Sequence, residues 1–198
     1  MTSATPATPA TSVINQIDRA LDMTGAIVEA VTGSQLTAPA PCPGWDVRTE
    51  LNHLVGGMRI FAAELAGTDP GGAHEDDWLG TDPRTAYTTA ADLDRAAWHR
   101  PGVLDTTVRL GFGDVPGPMA ALIHLTEVLV HGADLALATG REDLIAEEPC
   151  DDLLTVMHGM DFTVFRRPGM FGPALPAPAG APPHRRLLAF LGRDLTRY

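Results

Sequence analysis

Apolar positions recur with helical spacing through most of this chain. Over residues 12–31 and 46–66 they fall at i, i+3 or i+4 and i+7, which predicts two amphipathic helices with Ser12 and Asp46 as their N-caps. The same reasoning predicts further helices over 83–98, 118–140, 151–165 and 184–191. Few segments alternate in the way that strands do. The pattern therefore predicts an all-α bundle of four or five long helices, followed by a Pro/Gly-rich arm and a short final helix.

The segments between these helices are rich in proline, glycine and polar residues, which predicts loops. Residues 1–11, composed mostly of Thr, Pro and Ala, are expected to be a disordered N-terminal tail, with a single domain over 12–198. Residues 106–112 fit either a short strand or an extended connection, and residues 113–117 are predicted to form a turn. Gly140 is the expected C-cap of the helix before it.

The predicted helix over 118–140 differs from the others because apolar residues surround it almost completely. A helix that is apolar on nearly all sides is buried. Four ionisable side chains nevertheless fall within about a quarter of its circumference; they are His124, Glu127, His131 and Asp134. Ionisable groups without partners are very costly in a protein interior. This row therefore requires partners, and a metal ion would supply one.

Glu127 and His131 are four residues apart, so both side chains can reach one ion from successive helical turns. One carboxylate and two imidazoles form a typical open catalytic metal site, in which water or substrate takes the remaining position. The second imidazole could come from the same helix, as His124, or from another helix. The best outside candidate is His53, which lies away from the apolar face of its own helix. An ordinary surface ion pair between Glu127 and His131 is the competing interpretation.

Several neighbouring residues allow two interpretations. Asp134 could orient a liganding histidine or could only bond to backbone, and we favour the first. Cys42 could be a nucleophile, but a small buried apolar role is favoured. Gly56 and Gly57, directly after His53, are expected to let a neighbouring helix approach closely. We assign no role to the histidines without a partner at ligand spacing, which are His74, His99, His158 and His184.

Composition narrows the classes of function. A formal net charge of −11 over 198 residues, with no basic stripe, argues against a nucleic-acid partner. Two cysteines do not suggest a disulfide framework, and we expect neither a signal peptide nor a membrane span, so the expected location is the cytoplasm. No HExxH, P-loop, G-x-S-x-G or dinucleotide fingerprint occurs. An acidic bundle with a proline-rich arm is compatible with a homodimer.

Three segments follow one another in an order typical of a known family. PCPGWDVRTELNHLVGG, HLTEVLVHGADLALATG and FGPALPAPAGAPPHRRLLAFLGRD together resemble actinobacterial metal-binding proteins of the DinB-like superfamily, above all the mycothiol-dependent maleylpyruvate isomerase type. The resemblance implies a DinB-like four-helix bundle that holds a divalent metal, usually zinc, through a histidine of the second helix and an E-x-x-x-H pair. Matched residue by residue, these ligands are His53, Glu127 and His131. The motif HGWDLA reads HGADLA here, and Ala133 in place of tryptophan predicts a more open wall beside the metal.

The resemblance implies thiol chemistry. We expect a zinc-dependent thiol S-transferase or isomerase, in which the metal favours the thiolate form of a low-molecular-weight thiol such as mycothiol, and this thiolate attacks a small electrophilic substrate. His124, where it is not a ligand, is the candidate catalytic residue that carries protons. Two alternatives stay open: a metal-dependent hydrolase, and a non-catalytic protein that binds a metal or a small molecule.

Overall fold

The computed structural model describes residues 9–111, 113–167 and 170–198. Within these ranges the chain forms six α-helices and one two-stranded sheet. In chain order the elements are α1 (Pro9–Ala30), α2 (Val47–Ala66), α3 (Pro83–Trp98), β1 (Thr107–Leu110), β2 (Gly113–Pro116), α4 (Gly117–Thr139), α5 (Glu147–His158) and α6 (Pro183–Phe190). The predicted all-α class is confirmed.

Four of the helices form a closed ring. α1 packs against α3 and α4, and α2 packs against the same two helices. α5 and α6 pack against each other beside this ring, and α6 also contacts α4. The apolar faces of the ring meet in one core, whose largest fully buried side chains include Ile17, Leu21, Leu51, Met58, Trp98 and Leu129. The predicted four-helix bundle with an added C-terminal arm and helix is therefore present.

Local signals place most of the helix ends. The carboxylate of Asp46 accepts a hydrogen bond from the Thr49 N–H at 2.8 Å, which makes it the N-cap of α2 as predicted. Gly140 ends α4 with φ of 71°, a left-handed conformation that glycine adopts without strain. α1 begins at Pro9, before the predicted cap at Ser12. Residues 1–8 of the predicted tail lie outside the described residues, so its disorder stays a prediction.

Two predictions are wrong: the turn over residues 113–117 and the end of the fifth helix at residue 165. Residues 113–116 form β2 and not a turn; this strand pairs antiparallel with β1, with Val108 opposite Val115. The hairpin is anchored because Val108 is buried against the core. α5 runs over Glu147–His158 and does not reach residue 165, since the chain turns at Gly159 and resumes as a separate 3₁₀ turn over Phe162–Phe165.

α4 is the central helix of the bundle. Among the described residues it alone is long and apolar enough to cross a membrane, and 83% of its apolar window is buried inside the protein, as in the core helix of a bundle. Gly132 permits a close approach of α1, because a Cβ atom there would lie 2.1 Å from the Thr24 hydroxyl oxygen. With α1 packed on this side, the adjacent His131 side chain extends toward α2.

Candidate metal centre

Three side chains meet between α2 and α4. Nε2 of His53 lies 3.1 Å from Oε2 of Glu127, and Nε2 of His131 lies 3.3 Å from the same oxygen. One donor atom from each residue lies within 4.8 Å of the other two. Ligands of a tetrahedral zinc, each at about 2.0–2.1 Å, are separated by about 3.3 Å. The structure thus brings together the three residues that the sequence nominated, with spacings that fit one small divalent ion.

Glu50 is a functional residue that sequence reasoning missed. It is completely buried, and its Oε1 accepts a hydrogen bond of 2.5 Å from Nδ1 of His131. This bond leaves Nε2 of His131 facing Glu127, so it fixes which ring nitrogen is offered to an ion. Glu50 lies three residues before His53 in α2, and that helical spacing is the signal that could have found it.

Asp134 lies beside this pair but bonds elsewhere. Its Oδ2 is 3.7 Å from Nδ1 of His131 and accepts a hydrogen bond of 3.0 Å from Nε of Arg193, beyond the end of α6. Burial, followed by the Glu50 carboxylate, raises the pKa of Asp134 to about 7 against the opposing effect of Arg193. Asp134 therefore joins the C-terminal segment to α4. The residue that orients His131 is Glu50, and not Asp134 as the sequence predicted.

Trp45 covers the imidazoles. Its ring centroid lies 5.7 Å from that of His131, with the planes 21° apart, and 4.8 Å from that of His53. Trp45 directly precedes the N-cap Asp46, a position from which side chains commonly pack back on the first turns of a helix. One face of the ligand cluster is therefore apolar and shielded.

The electrostatics of the cluster favour a cation. Burial lowers the pKa of His131, but hydrogen bonds with Glu127 and Glu50 outweigh it and raise the value to about 10. Burial likewise raises the pKa of Glu127, but its bonds to His131 and His53 hold the net value below the ordinary range. Burial lowers the pKa of His53. One positive charge is thus held between the carboxylates, and this is a charge that a metal ion can replace.

His124 is not part of the ligand cluster. Its Nε2 bonds to Oδ2 of Asp94 in α3 at 2.7 Å, and both residues are completely buried. The rings of Phe61 and Trp98 pack around it, with centroids 4.5 and 5.4 Å away. Among the described residues, Nδ1 of His124 has no hydrogen-bond partner. Of the two candidates for the second imidazole, the structure brings His53, and not His124, to Glu127 and His131.

A cavity of about 520 Å³ adjoins the candidate ligands. His53 and Glu127 lie at one part of its wall, and His124 lines another part together with Phe61. Its remaining polar lining comes from His74, Glu64 and Arg109. The site can therefore admit a molecule much larger than water next to the open side of the ligands.

The loop between α2 and α3 carries one histidine of this cavity. The ring of His74 lies 4.6 Å from that of His53. Trp78 anchors the loop, since its Nε1 donates to the carbonyl of Ala73 at 3.0 Å and its ring packs against Gly56, where a Cβ would lie only 2.6 Å away. Sequence reasoning assigned His74 no role because no ligand-spaced partner accompanies it in this glycine-rich loop.

The two glycines after His53 act differently from the prediction. The neighbour at Gly56 is a loop tryptophan and not a helix. At Gly57 a Cβ would meet nothing within 4 Å, because this position lines the cavity. The expected close approach of a second helix is wrong at both positions, and Gly57 instead keeps the cavity open beside His53.

Two further expectations concern residues near the ligands. Burial raises the pKa of Cys42 to about 12, so its sulfur stays protonated at neutral pH, which fits the apolar interpretation better than a nucleophile. Ala133 is completely buried in the core. It does not line the large cavity, and the more open wall expected from alanine in place of tryptophan stays a prediction.

Comparison with known proteins identifies the family of the chain. Residues 17–136 match the model of the mycothiol maleylpyruvate isomerase N-terminal domain, a stretch that includes Glu50 and all three candidate ligands. Two uncharacterized proteins of Mycobacterium tuberculosis, from strains CDC 1551 and H37Rv, are each 32% identical over 178 residues, which cover 89% of this chain and 95% of theirs. No solved structure matches the chain. The chain therefore belongs to the mycothiol maleylpyruvate isomerase N-terminal domain family, and its DinB-like helical fold carries a cluster of candidate metal ligands.

Proposed function

We propose that this protein is a zinc-dependent thiol S-transferase or isomerase of the cytoplasm, which joins a low-molecular-weight thiol such as mycothiol to a small electrophile. The observation that carries the proposal is the convergence of His53, Glu127 and His131 in one cluster, of which His53 and Glu127 line a large cavity. When bound, the divalent ion would supply an open coordination position at which a thiol ionises near neutral pH.

The protein's own groups orient and isolate this position. Glu50 holds the His131 ring so that Nε2 faces the ligand cluster, and Trp45 covers one side of both imidazoles. The thiol of Cys42 is held protonated by burial, so the chain supplies no competing thiolate there. The sulfur of an external thiol would therefore reach the ligands from the cavity.

We assign the proton transfer to His124. Attack by sulfur forms a carbon–sulfur bond while a π bond or a carbon–oxygen bond of the electrophile breaks, so the new anionic centre takes up the proton that the thiol released. Asp94 accepts the Nε2 proton of His124, so the basic nitrogen is Nδ1, which is buried without a hydrogen-bond partner among the described residues. Because His124 lines the cavity, a substrate there would have to approach this nitrogen closely. His124 is three residues from Glu127 along α4, an axial distance of about 4.5 Å.

The proposal is tested by incubating zinc-loaded protein with mycothiol and a panel of epoxides and α,β-unsaturated acids. Loss of free thiol and the mass of the adduct are the readouts for transfer. Chromatographic separation of the cis and trans acids is the readout for isomerisation, in which the thiol leaves again and is regenerated. His131→Ala is the control without a complete ligand set. We expect turnover only with thiol, metal and His131 together.

His124→Gln refines the test, because it removes the basic ring nitrogen and keeps a polar side chain. We expect kcat to fall by about 10²–10⁴-fold, while the affinity for thiol is unchanged. Hydrolysis of esters or amides without thiol consumption would contradict the proposal in favour of a hydrolase. Metal binding without turnover of any electrophile would contradict it in favour of a binding protein.

A further inference from the structure

A second and smaller pocket lies next to the ligand cluster. Its volume is about 90 Å³, and Ile123 and Glu127 line both this pocket and the large cavity. These two residues of α4 thus form a shared wall between the two spaces. A molecule seated in the small pocket would lie directly beside Glu127, a candidate metal ligand.

The chemical character of the two spaces differs. The large cavity combines apolar residues with three imidazoles, the carboxylates of Glu64 and Glu127, and the guanidinium of Arg109. The small pocket is lined mostly by sulfur and aromatic side chains, including four of the seven methionines of the chain, Met119, Met157, Met160 and Met170. Its polar members are Glu127 and Thr126, and the Thr126 hydroxyl already donates to the carbonyl of Leu122 at 2.8 Å. A polar molecule would lose hydrogen bonds to water there and regain few.

The outer wall of the small pocket is built into the fold. Arg166 fixes it, because its guanidinium lies 5.1 Å from the centroid of Phe162 and 4.8 Å from that of Phe190, and it donates to the Phe190 carbonyl at 3.0 Å. The Phe171 N–H donates to the carbonyl of Phe165 at 3.3 Å. All of these residues lie outside the stretch 17–136 that matches the family, whereas Ile123 and Glu127 lie inside it.

We propose that the small pocket binds the apolar part of the electrophile, and that the large cavity receives the thiol. This assignment rests on the proposed function. A volume of about 90 Å³ is smaller than the cavity of roughly 150 Å³ that holds benzene in an engineered protein. The pocket therefore fits a short aliphatic group better than a ring. Methionine side chains adapt to irregular shapes, so both linear and branched groups can be accommodated.

Methionine-methyl NMR tests the two binding positions without any reaction. In zinc-loaded protein with ¹³C-methyl methionine, Met58 reports on the large cavity, the four pocket methionines report on the small pocket, and Met23 in the core is the control. We expect 1-butanol to shift signals of the pocket methionines and mycothiol to shift that of Met58. Shifts at Met58 alone with 1-butanol, or at no methionine, would overturn the proposal.

Kinetics with a series of 1,2-epoxyalkanes, from epoxypropane to epoxyhexane, test specificity. Each added methylene that enters the pocket is expected to raise kcat/KM by about fourfold. Met119→Trp, at the pocket and 37% exposed, should remove this dependence on chain length. Val164→Trp, 60% exposed and outside the pocket lining, is the matched control and should retain it.

The outcomes separate the two proposals. If neither the epoxides nor the α,β-unsaturated acids are turned over with thiol but 1-butanol shifts the pocket methionines, the proposed chemistry fails and the apolar site stands. If thiol is consumed at rates that do not depend on chain length in the wild-type protein, the chemistry stands and the assignment of the small pocket is wrong.

Discussion

The two histidines of the polar row on α4 lie seven residues apart, and the structure gives them different surroundings. His131 meets Glu127 and two residues of α2, Glu50 and His53. His124 meets Asp94 of α3, packs against the rings of Phe61 and Trp98, and lines the large cavity. The difference shows that the row on α4 determines where polar groups lie, while the opposing helix determines what each group can do.

The largest effect should come from removing His131, and the removal of His124 is its comparison. His131→Ala takes away a donor atom of the three-residue cluster, so we expect metal content to fall from about one ion per chain to near zero. His124→Ala leaves all three donors in place and should retain the metal. Elemental analysis of proteins purified without chelators measures both. Metal retained by His131→Ala, or lost in a folded His124→Ala, would show that the two histidines do not differ in metal binding as proposed.

A smaller effect should follow when only the carboxylate partner of each histidine changes. Glu50→Gln keeps the shape of the side chain but weakens the bond that orients His131, so we expect zinc affinity to fall by about 10–100-fold. Asp94→Asn makes the same change at His124 and should leave zinc affinity unchanged. Competition with a chromophoric chelator gives both constants. Equal affinities for the wild-type protein and Glu50→Gln would show that the hydrogen bond between Glu50 and His131 does not contribute to zinc affinity.

The smallest effect concerns the start of α2, the helix that carries Glu50 and His53. The side-chain and backbone hydrogen bonds of Thr49 lower the pKa of Asp46. The ionised cap therefore stabilises the fold at pH values above the unfolded pKa of about 3.9, and this contribution is lost as the pH falls through the lower folded value. We expect Asp46→Ala to reduce the free energy of unfolding at pH 7 by about 1 kcal/mol.

Urea denaturation of the metal-free protein measures this reduction without a contribution from bound metal. The difference between Asp46→Ala and the wild type should shrink as the pH falls toward 3. Asp46→Asn, which keeps a capping oxygen without the charge, is the matched control and should lose much less stability at pH 7. A difference that stays constant with pH would show that ionisation of Asp46 does not stabilise α2.

Much of the arrangement could be predicted because it depends on local signals. Helical periodicity, the cap at Asp46 and the glycine at 140 locate the long helices, and the nearly complete apolar surface of α4 identifies its buried polar row. The turn predicted at 113–117 failed because strand pairing depends on a neighbouring segment that periodicity does not reveal.

The residues that sequence reasoning missed depend on contacts between elements. Glu50 becomes the partner of His131 only because α2 packs on α4, and His74 reaches His53 only because Trp78 folds the loop against Gly56. Likewise, the pairing of His124 with Asp94 could not be predicted, because it depends on where α3 lies relative to α4. Spacing along one helix can nominate a ligand, but the packing of a second helix decides among the candidates.

X-ray absorption at the zinc edge tests most directly the central claim that His53, Glu127 and His131 hold one ion with an open position. For the protein alone, we predict nitrogen and oxygen neighbours at about 2.0–2.1 Å, with scattering from two imidazoles and no sulfur. Addition of mycothiol should introduce one sulfur neighbour at about 2.3 Å. Sulfur bound before thiol is added, or a neighbour shell without two imidazoles, would contradict the account.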